Sequence, residues 1–97
     1  MAIKSFGNKL AEDLYDDHNS KAVRRLPTEL HRAARRKLLY LHDAESLADL
    51  RTPPGNRLEA LHGDWQGYHS IRINDQWRVV FRWENSAAFD VYVIDYH

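Results

Sequence analysis

The segment YHSIRINDQWRVVFRW, residues 68–83, determines the fold expected for this chain of 97 residues. In its second half, large apolar side chains occupy every second position: Trp77, Val79, Phe81 and Trp83. A period of two is typical of a strand that buries one face of a sheet. Residues 69–73 repeat the alternation before the polar pair Asn74-Asp75. The segment therefore predicts an antiparallel hairpin with its turn at Asn74-Asp75.

Shorter apolar segments on both sides of this hairpin extend the predicted sheet. Leu58–Leu61 precedes it, and Phe89–Ile94 follows a second polar turn at Glu84-Asn85-Ser86. A brief strand is also expected at Ile3–Phe6. Because short turns join neighbouring strands in antiparallel pairs, the second half of the chain is predicted to be a small antiparallel sheet.

The first half of the chain has the period of helices. Asn8–Asp17 is predicted to be a short helix, and Pro27–His42 a longer one with Thr28 as its N-cap. One apolar stripe runs along the longer helix and is formed by Leu30, Ala33, Ala34, Leu38 and Leu41. This stripe predicts that the helix buries one side against the sheet.

A third short helix is expected at Ala44–Leu50, with Asp43 as its N-cap. Two prolines and a glycine in residues 52–56 are then expected to end helical structure. Helices followed by strands indicate the α+β class, with N-terminal helices packed on one face of a small, mainly antiparallel β-sheet. We interpret residues 1–97 as a single domain, since this length is enough for one core.

The composition argues against several classes of protein: disulfide-linked, membrane-spanning, secreted and metal-binding. There is no cysteine, which excludes disulfides, a thiol nucleophile and thiolate metal ligands. No segment approaches the roughly 20 apolar residues of a membrane span, and residues 1–6 become polar too soon for a signal peptide. The six histidines show no metal-ligand spacing. We therefore expect a cytoplasmic protein with no membrane partner, metal or other cofactor.

The charge of the chain is zero in total but unevenly distributed. Residues 1–20 carry −2, residues 21–42 carry +6 and residues 43–97 carry −4. A basic block in a neutral chain is typical of a phosphate-binding face. It is equally typical of a solvated helix surface with acidic neighbours folded over it, and the sequence leaves both interpretations open.

The alternation of the hairpin also places two arginines. If Trp77–Trp83 buries its apolar side chains against the helices, Arg78 and Arg82 project from the opposite face. A guanidinium is always charged and binds phosphate through two parallel hydrogen bonds. The alternative is an exposed strand residue paired with Glu84 or Asp90. We favour that alternative for Arg82 and leave both open for Arg78.

Two candidates lie at the end of the short strand that precedes the hairpin. Glu59 either orients a catalytic base or pairs with Arg57, and His62 is either a site residue or an ordinary surface histidine. Trp65 and Tyr68 either stack on nucleic-acid bases or belong to the core.

The segment Asp95-Tyr96-His97 follows the last predicted strand. Its side chains are able to transfer protons, donate hydrogen bonds and stabilise charge. An imidazole held at the edge of a sheet is a candidate general acid or base. The alternative is a polar tail without a role.

Three segments in register resemble the HigB-type killer toxins of the RelE/ParE toxin superfamily. They are PPGNRLEALHGD at residues 53–64, SIRINDQWRVVFRW at residues 70–83, and Asp95-Tyr96-His97. The similarity is close in order and spacing over about residues 50–97, and it is weaker over residues 1–49. It implies a RelE-like microbial RNase-type fold.

The resemblance also implies a function. Members of this type are cytoplasmic toxins of type II toxin–antitoxin systems, and they cleave mRNA in the ribosomal A site without a metal. In this cleavage the ribose 2′-OH attacks the adjacent phosphate. Loss of the intact message inhibits translation. The implied partners are a cognate HigA-type helix-turn-helix antitoxin, the ribosome and mRNA, with operator DNA bound only through the antitoxin.

The resemblance assigns roles by position in this sequence. Asp95, Tyr96 and His97 match the active-site triplet of the family, and Arg78 matches the strand arginine that faces the scissile phosphate. Glu59 replaces an active-site histidine of some members, and His62 replaces a lysine. The residues expected to contact RNA or the ribosome are basic: Arg32, Arg35, Arg36, Lys37 and Arg57.

The sequence is also compatible with two other functions. The replacements at Glu59 and His62 fit a weakly active or inactive homologue that acts mainly as an antitoxin-binding module in operon autorepression. A gyrase poison of the ParE kind would share the fold, but that activity has no need of the segment Asp95-Tyr96-His97.

Overall fold

The computed structural model describes residues 2–96 and places two α-helices ahead of a four-stranded sheet. The α-helices are α1 (Lys9–Tyr15) and α2 (His31–Asp43). The strands are β1 (Glu59–Ala60), β2 (Tyr68–Arg72), β3 (Trp77–Glu84) and β4 (Ala87–Asp95). They are ordered β1-β2-β3-β4, and each pairs antiparallel with the next. The predicted α+β class and its antiparallel sheet are confirmed.

Both predicted turns of the sheet are present. The Asn74 side chain accepts hydrogen bonds from the backbone N–H groups of Gln76 (2.9 Å) and Trp77 (2.7 Å), which closes the β2–β3 turn. Asn85 and Ser86 have φ values of 51° and 62°. Two successive positive φ values match the right-handed twist of a two-residue hairpin.

Residues 2–8 lie along the outer edge of β4. The brief strand expected at Ile3–Phe6 consists of two isolated parallel bridges, Ile3 to Ala88 and Phe6 to Val91. Asn8 then continues the edge, because its Nδ2 donates to the Val93 carbonyl at 3.0 Å. The Asn8 Oδ1 accepts from the Ala11 N–H at 3.0 Å and so caps α1.

One core joins the helices to the first face of the sheet. Ala34, Leu38 and Leu41 of α2 are fully buried, as are Val79 and Phe81 of β3. The predicted stripe of α2 is therefore confirmed, with Leu30 and Ala33 packed partly buried at its margin.

The start of α2 differs from the prediction. Thr28 begins a 3₁₀ turn, Thr28–Leu30, so the α-helix starts only at His31. Its N-cap is Leu30, which has no side-chain cap. The prediction that Thr28 caps this helix is wrong, because the extra turn moves the first α-helical N–H groups beyond the reach of its hydroxyl.

The third helix also differs from the prediction. It is a 3₁₀ helix, Leu47–Arg51, and Ser46 is its N-cap instead of Asp43. Ser46 and Asp49 form a capping box, a reciprocal arrangement that satisfies two free N–H groups. The N–H groups of Glu45 and Ser46 donate to Asp49 and lower the pKa of that carboxyl.

Helical structure does not end at the prolines as expected. Short 3₁₀ turns occur at Pro54–Asn56 and at Gly63–Trp65. Proline is tolerated at the first position of a turn because its missing N–H has no partner there. Within the part of the chain that the structure describes, no helix is long and apolar enough to cross a membrane.

Candidate functional site

The side chains of the sheet that point away from the helices form its second face. Val79 and Phe81 point to the core, so their neighbours in β3 belong to this second face. The strand pairing arranges it in three rows, which are Arg72, Arg78 and Ile94, then Glu59, Ser70, Val80 and Tyr92, then Tyr68, Arg82 and Phe89. The predicted position of Arg78 and Arg82 on one face is thereby observed.

Arg78 is a largely buried cation on this face. Its side chain is 17% exposed, and its Nη1 lies 4.0 Å from Oε1 of Glu59. The Nε and Nη1 groups are buried, and no atom of residues 2–96 accepts a hydrogen bond from them. A buried donor without an acceptor is unfavourable, so the guanidinium is prepared to bind an anion with oxygen acceptors.

More cations surround Arg78. Asp75 is bonded to Nη2 of Arg72, which lies directly across from Arg78. The hydrogen bond and the charge of Arg72 lower the pKa of the Asp75 carboxyl, and the charges of Arg57 and Arg78 lower it further. One exposed carboxylate therefore lies within electrostatic range of three arginines.

Lys37 reaches the same region from α2. Its Nζ donates to Oδ1 of the buried Asn56 at 2.6 Å. Burial lowers the pKa of the Lys37 amine, and the charges of Arg36 and Arg72 lower it further. We call Arg72 and Arg78, together with Lys37 and Arg57 that lie within electrostatic range of Arg72 or of its partner Asp75, the cationic end of the second face.

The other end of the second face is neutralised. Arg82 Nη1 bonds to Glu84 at 2.7 Å, and its Nη2 lies 3.4 Å from Asp90. Asp90 has a φ of 51°, beside an irregularity in the β3–β4 pairing that follows Val80. The expectation that Arg82 is paired with Glu84 or Asp90 is confirmed.

Three aromatic rings, those of Trp65, Tyr68 and Tyr92, form a cluster that we call the aromatic wall, and Tyr68 in it lies across from Arg82. Trp65 contacts Tyr68 at 5.1 Å and Tyr92 at 5.2 Å between ring centroids, both edge to face. Burial raises the pKa of the Tyr68 hydroxyl. A Cβ atom on Gly7 would overlap the Tyr92 ring, so the absence of a side chain at this glycine allows residues 2–8 to pass close to that ring.

Asp95 and Tyr96, the last residues that the structure describes, come directly after the residue that pairs with Arg78 across the sheet. Ile94 pairs with Arg78, and Asp95 and Tyr96 come next. Asp95 Oδ2 accepts from Gln76 Nε2 at 2.7 Å, and the Tyr96 N–H donates to the Gln76 carbonyl at 2.8 Å. The third member of the predicted triplet, His97, lies outside the described residues.

The remaining predicted residues are divided between two places. Glu59 faces Arg78 instead of Arg57. His62 is exposed at the start of the Gly63–Trp65 turn, and within residues 2–96 no ion pair or side-chain hydrogen bond joins it to Glu59 or Arg78. The structure thus places Glu59 at Arg78 and His62 in the adjacent turn.

The basic residues of α2 do not form one surface. Arg32, Arg35 and Arg36 line an open cavity of about 530 Å³ between α1 and α2, where Asp17 and Leu39 are also found. Lys37 and Arg57 lie instead at the cationic end. No group of three histidine, aspartate or glutamate side chains in the described range is close enough together to hold a metal ion.

Arg72 and Asp75 were not among the residues that the sequence suggested. The available signal was the alternation of residues 68–72, which puts Arg72 on the face of Arg78 and Arg82. That signal has meaning only once the register is known, because a shift of one residue would move Arg72 to the core face.

Comparisons with known proteins identify the family of this chain. The family model for HigB-like toxins, described as the RelE-like toxin of type II toxin-antitoxin system HigB, matches residues 4–97. Toxin HigB-1 of Vibrio cholerae serotype O1 is 41% identical over 93 residues, covering 96% of this chain and 95% of that protein. An uncharacterised protein of Haemophilus influenzae is 35% identical over 79 residues, covering 81% of this chain and 74% of that protein.

Solved structures show the same fold at low sequence identity. A chain of the YoeB-YefM complex from Staphylococcus aureus superposes with a TM-score of 0.60 at 15% identity, covering 100% of this chain and 99% of that one. The YoeB/ParE toxin from Agrobacterium tumefaciens gives 0.52 at 20% identity with the same coverage. The fold is that of RelE-like toxins. Within that class the chain belongs to the HigB family, the toxins of type II toxin–antitoxin systems.

Proposed function

We propose that this toxin is a ribosome-dependent endoribonuclease that cleaves mRNA in the A site without a metal and so inhibits translation. The observation that carries the proposal is Arg78, a largely buried guanidinium whose Nε and Nη1 lack acceptors within residues 2–96. A phosphodiester supplies oxygen acceptors with matching charge and geometry. Asp95 and Tyr96 come directly after Ile94, the cross-strand neighbour of Arg78, and Asp95 itself pairs with Trp77. We propose that this segment reaches the same phosphate from the end of the strand.

The proposed reaction needs proton transfer and charge stabilisation only. The ribose 2′-OH loses its proton and attacks the adjacent phosphorus, and the bond to the 5′-oxygen of the next nucleotide breaks as that oxygen gains a proton. One product carries a 2′,3′-cyclic phosphate, which becomes a 3′-phosphate when water attacks the phosphorus and the bond to the 2′-oxygen breaks, and the other product carries a 5′-OH. Arg78 stabilises the charge that develops on the phosphate oxygens.

The acid–base groups of the proposal belong to the segment 95–97. His97 is our first choice for the general acid or base, because an imidazole transfers protons near neutral pH. Asp95 orients or charges the site, and Tyr96 contacts the nucleotide. Glu59 and His62 are the next candidates. His62 replaces a lysine charge only when it is protonated.

The partners follow from the same proposal. The structural relative from Staphylococcus aureus is a complex of YoeB with YefM, and an antitoxin is the partner of a type II toxin. We propose an antitoxin of the HigA helix-turn-helix type, which alone contacts operator DNA. Arg32, Arg35 and Arg36 on the cavity of α2, with Lys37 and Arg57, are proposed to contact ribosomal RNA or the message in the cytoplasm.

A second function is favoured by one contact. Glu59 approaches Arg78 to 4.0 Å and offsets part of the charge that a phosphate would use. A weakly active homologue that serves mainly as an antitoxin-binding module would have this arrangement. The direction in which one substitution changes the cleavage rate distinguishes the two functions. Glu59→Gln lowers the cleavage rate if Glu59 transfers a proton, and raises it if Glu59 only neutralises Arg78.

The test of the proposal uses untagged protein in a bacterial translation extract. New 5′ ends are mapped on a reporter message for the wild type and for His97→Ala, with ribosomes and without them. Ribosome-dependent cuts that fall roughly 10²–10⁴-fold in the variant are expected. Cuts at the wild-type rate from His97→Ala overturn the role of that residue, and no cuts from folded wild type overturn the enzyme itself.

A further inference from the structure

We propose that Arg72, with Lys37 and Arg57, forms a second phosphate site beside Arg78. This site takes the phosphate next to the scissile one on the same RNA strand, and Asp75 is the counter-ion that the RNA displaces. The proposal rests on the proposed function and deepens it, because it assigns a positioning residue for the neighbouring nucleotide.

The register of the sheet is the first argument. Arg72 and Arg78 are paired directly across β2 and β3 on the second face. Like charges in directly opposite positions destabilise a sheet. Both side chains are mostly buried, 28% and 17% exposed, so water screens their repulsion less than it does at an open surface. Phosphates bound at the two guanidinium groups would relieve this repulsion.

The balance of charge is the second argument. The cationic end contains Lys37, Arg57, Arg72 and Arg78, and the carboxylates of Asp75 and Glu59 are the acidic groups joined to it by ion pairs among residues 2–96. Positive charge is therefore in excess in a chain whose total charge is zero. The Asp75 side chain is 98% exposed, so its pair with Arg72 is easily exchanged for a phosphate.

The cation contributed by α2 is held in place. Lys37 donates to Asn56, which is fully buried and itself donates to the Leu50 carbonyl at 3.1 Å. Burial is the main cause of the lowered pKa of Lys37. A basic residue fixed by a buried amide is positioned for a ligand, whereas a solvated lysine would be free to move.

Arg82 supplies the matched control on the same face. It is an arginine of similar exposure, 38%, but Glu84 and Asp90 both neutralise it. It has the same chemistry as Arg72 and lacks the excess positive charge. We therefore expect Arg82 to contribute little to the binding of RNA.

The experiment measures the binding of the toxin to bacterial ribosomes programmed with uncleavable messages. The A-site nucleotide carries a 2′-O-methyl group, and a neutral methylphosphonate replaces the phosphate on one side of the scissile position or on the other. Arg72→Ala is expected to weaken binding to the fully charged message roughly tenfold and to reduce the salt slope by about 0.7. Arg82→Ala is expected to bind as the wild type does.

The decisive result is the coupling between one residue and one phosphate. When the methylphosphonate replaces the phosphate that Arg72 is proposed to bind, Arg72→Ala is expected to bind as well as the wild type does. Asp75→Asn is expected to bind the charged message more tightly, because the competing carboxylate is gone. Equal losses from Arg72→Ala on all three messages, or weaker binding by Asp75→Asn, overturn the second site.

The proposed function and the second site fail in different ways. Wild type that cleaves an unmodified message, combined with an unaffected Arg72→Ala, overturns the second site and leaves the nuclease standing. Wild type that neither binds programmed ribosomes nor cleaves the message overturns both.

Discussion

The two ends of the second face of the sheet hold the same residue type in opposite surroundings. At the neutralised end, Glu84 and Asp90 bond to Arg82. At the cationic end, Arg78 keeps two buried N–H groups without acceptors in the described chain, and Arg72 shares one exposed carboxylate with its neighbours. The alternation of β3 decides which face an arginine occupies. The placement of counter-ions decides whether that arginine is available to a ligand.

The largest expected effect compares Arg78→Ala with Arg82→Ala. Loss of Arg78 removes the donors that stabilise the phosphate charge, and cleavage should fall roughly 10²–10³-fold. Loss of Arg82 should leave the rate within about twofold, since its charge is already neutralised. Rates of message cleavage on ribosomes check both values. Equal losses from the two variants would contradict the distinction between the ends.

The packing of the aromatic wall is tested by Gly7→Ala. The added Cβ would overlap the Tyr92 ring, which is packed against Trp65, and should destabilise the protein by about 1–3 kcal/mol. Urea unfolding measures this change. Gly55→Ala is the control, because a Cβ there has no atom within 4 Å. Equal stability of the two variants would show that the Tyr92 ring moves aside at little cost in free energy.

The ion pairing that neutralises Arg82 can be reproduced at Arg78 by a substitution. Ile94 lies across from Arg78, so Ile94→Asp brings a carboxylate to it, as Asp90 is brought to Arg82. Cleavage should fall about fivefold to tenfold, which corresponds to an ion pair of about 1 kcal/mol. Ile94→Asn has nearly the same shape without the charge. A similar loss from both variants would point to packing instead of charge.

The smallest effect is on the acidity of Asp75. Its pKa lies below the ordinary 3.8, chiefly because Arg72 bonds to the carboxylate. A lowered pKa means that this group stabilises the fold above pH 3.8, and that the contribution is lost as pH falls through the folded-state value. Carboxyl NMR titration should show a higher pKa in Arg72→Ala and no change in Arg82→Ala. The reverse order would contradict the assignment of the two ends.

The sheet was predictable because its signals are local. Alternation over residues 77–83 and the polar turns at Asn74-Asp75 and Glu84-Asn85-Ser86 are all read within a few residues. The apolar stripe of α2 is local as well. Helix boundaries were less accurate, because a 3₁₀ turn at Thr28–Leu30 and a capping box at Ser46 depend on backbone details that hydrophobic periodicity does not report.

The site was predictable in part. Arg78 and Arg82 were placed on one face by alternation, and the pairing of Arg82 was anticipated from the acids near it in sequence. Arg72 and the location of Lys37 could not be predicted, since they depend on which residues meet across β2 and β3 and on which side of α2 faces the sheet. The roles of Asp95, Tyr96 and His97 were suggested by the chemistry of their side chains and by the resemblance, and they are proposals.

The segment of residues 2–8 has a consequence for self-association. β4 is nine residues long and ends the order of strands, so without cover it would present unpaired backbone groups to another molecule. The bridges from Ile3 and Phe6 and the side chain of Asn8 occupy that edge. At the other edge β1 has only two residues. A fusion that pulls residues 2–8 away from the sheet would therefore produce aggregation-prone protein whose loss of activity has nothing to do with its chemistry.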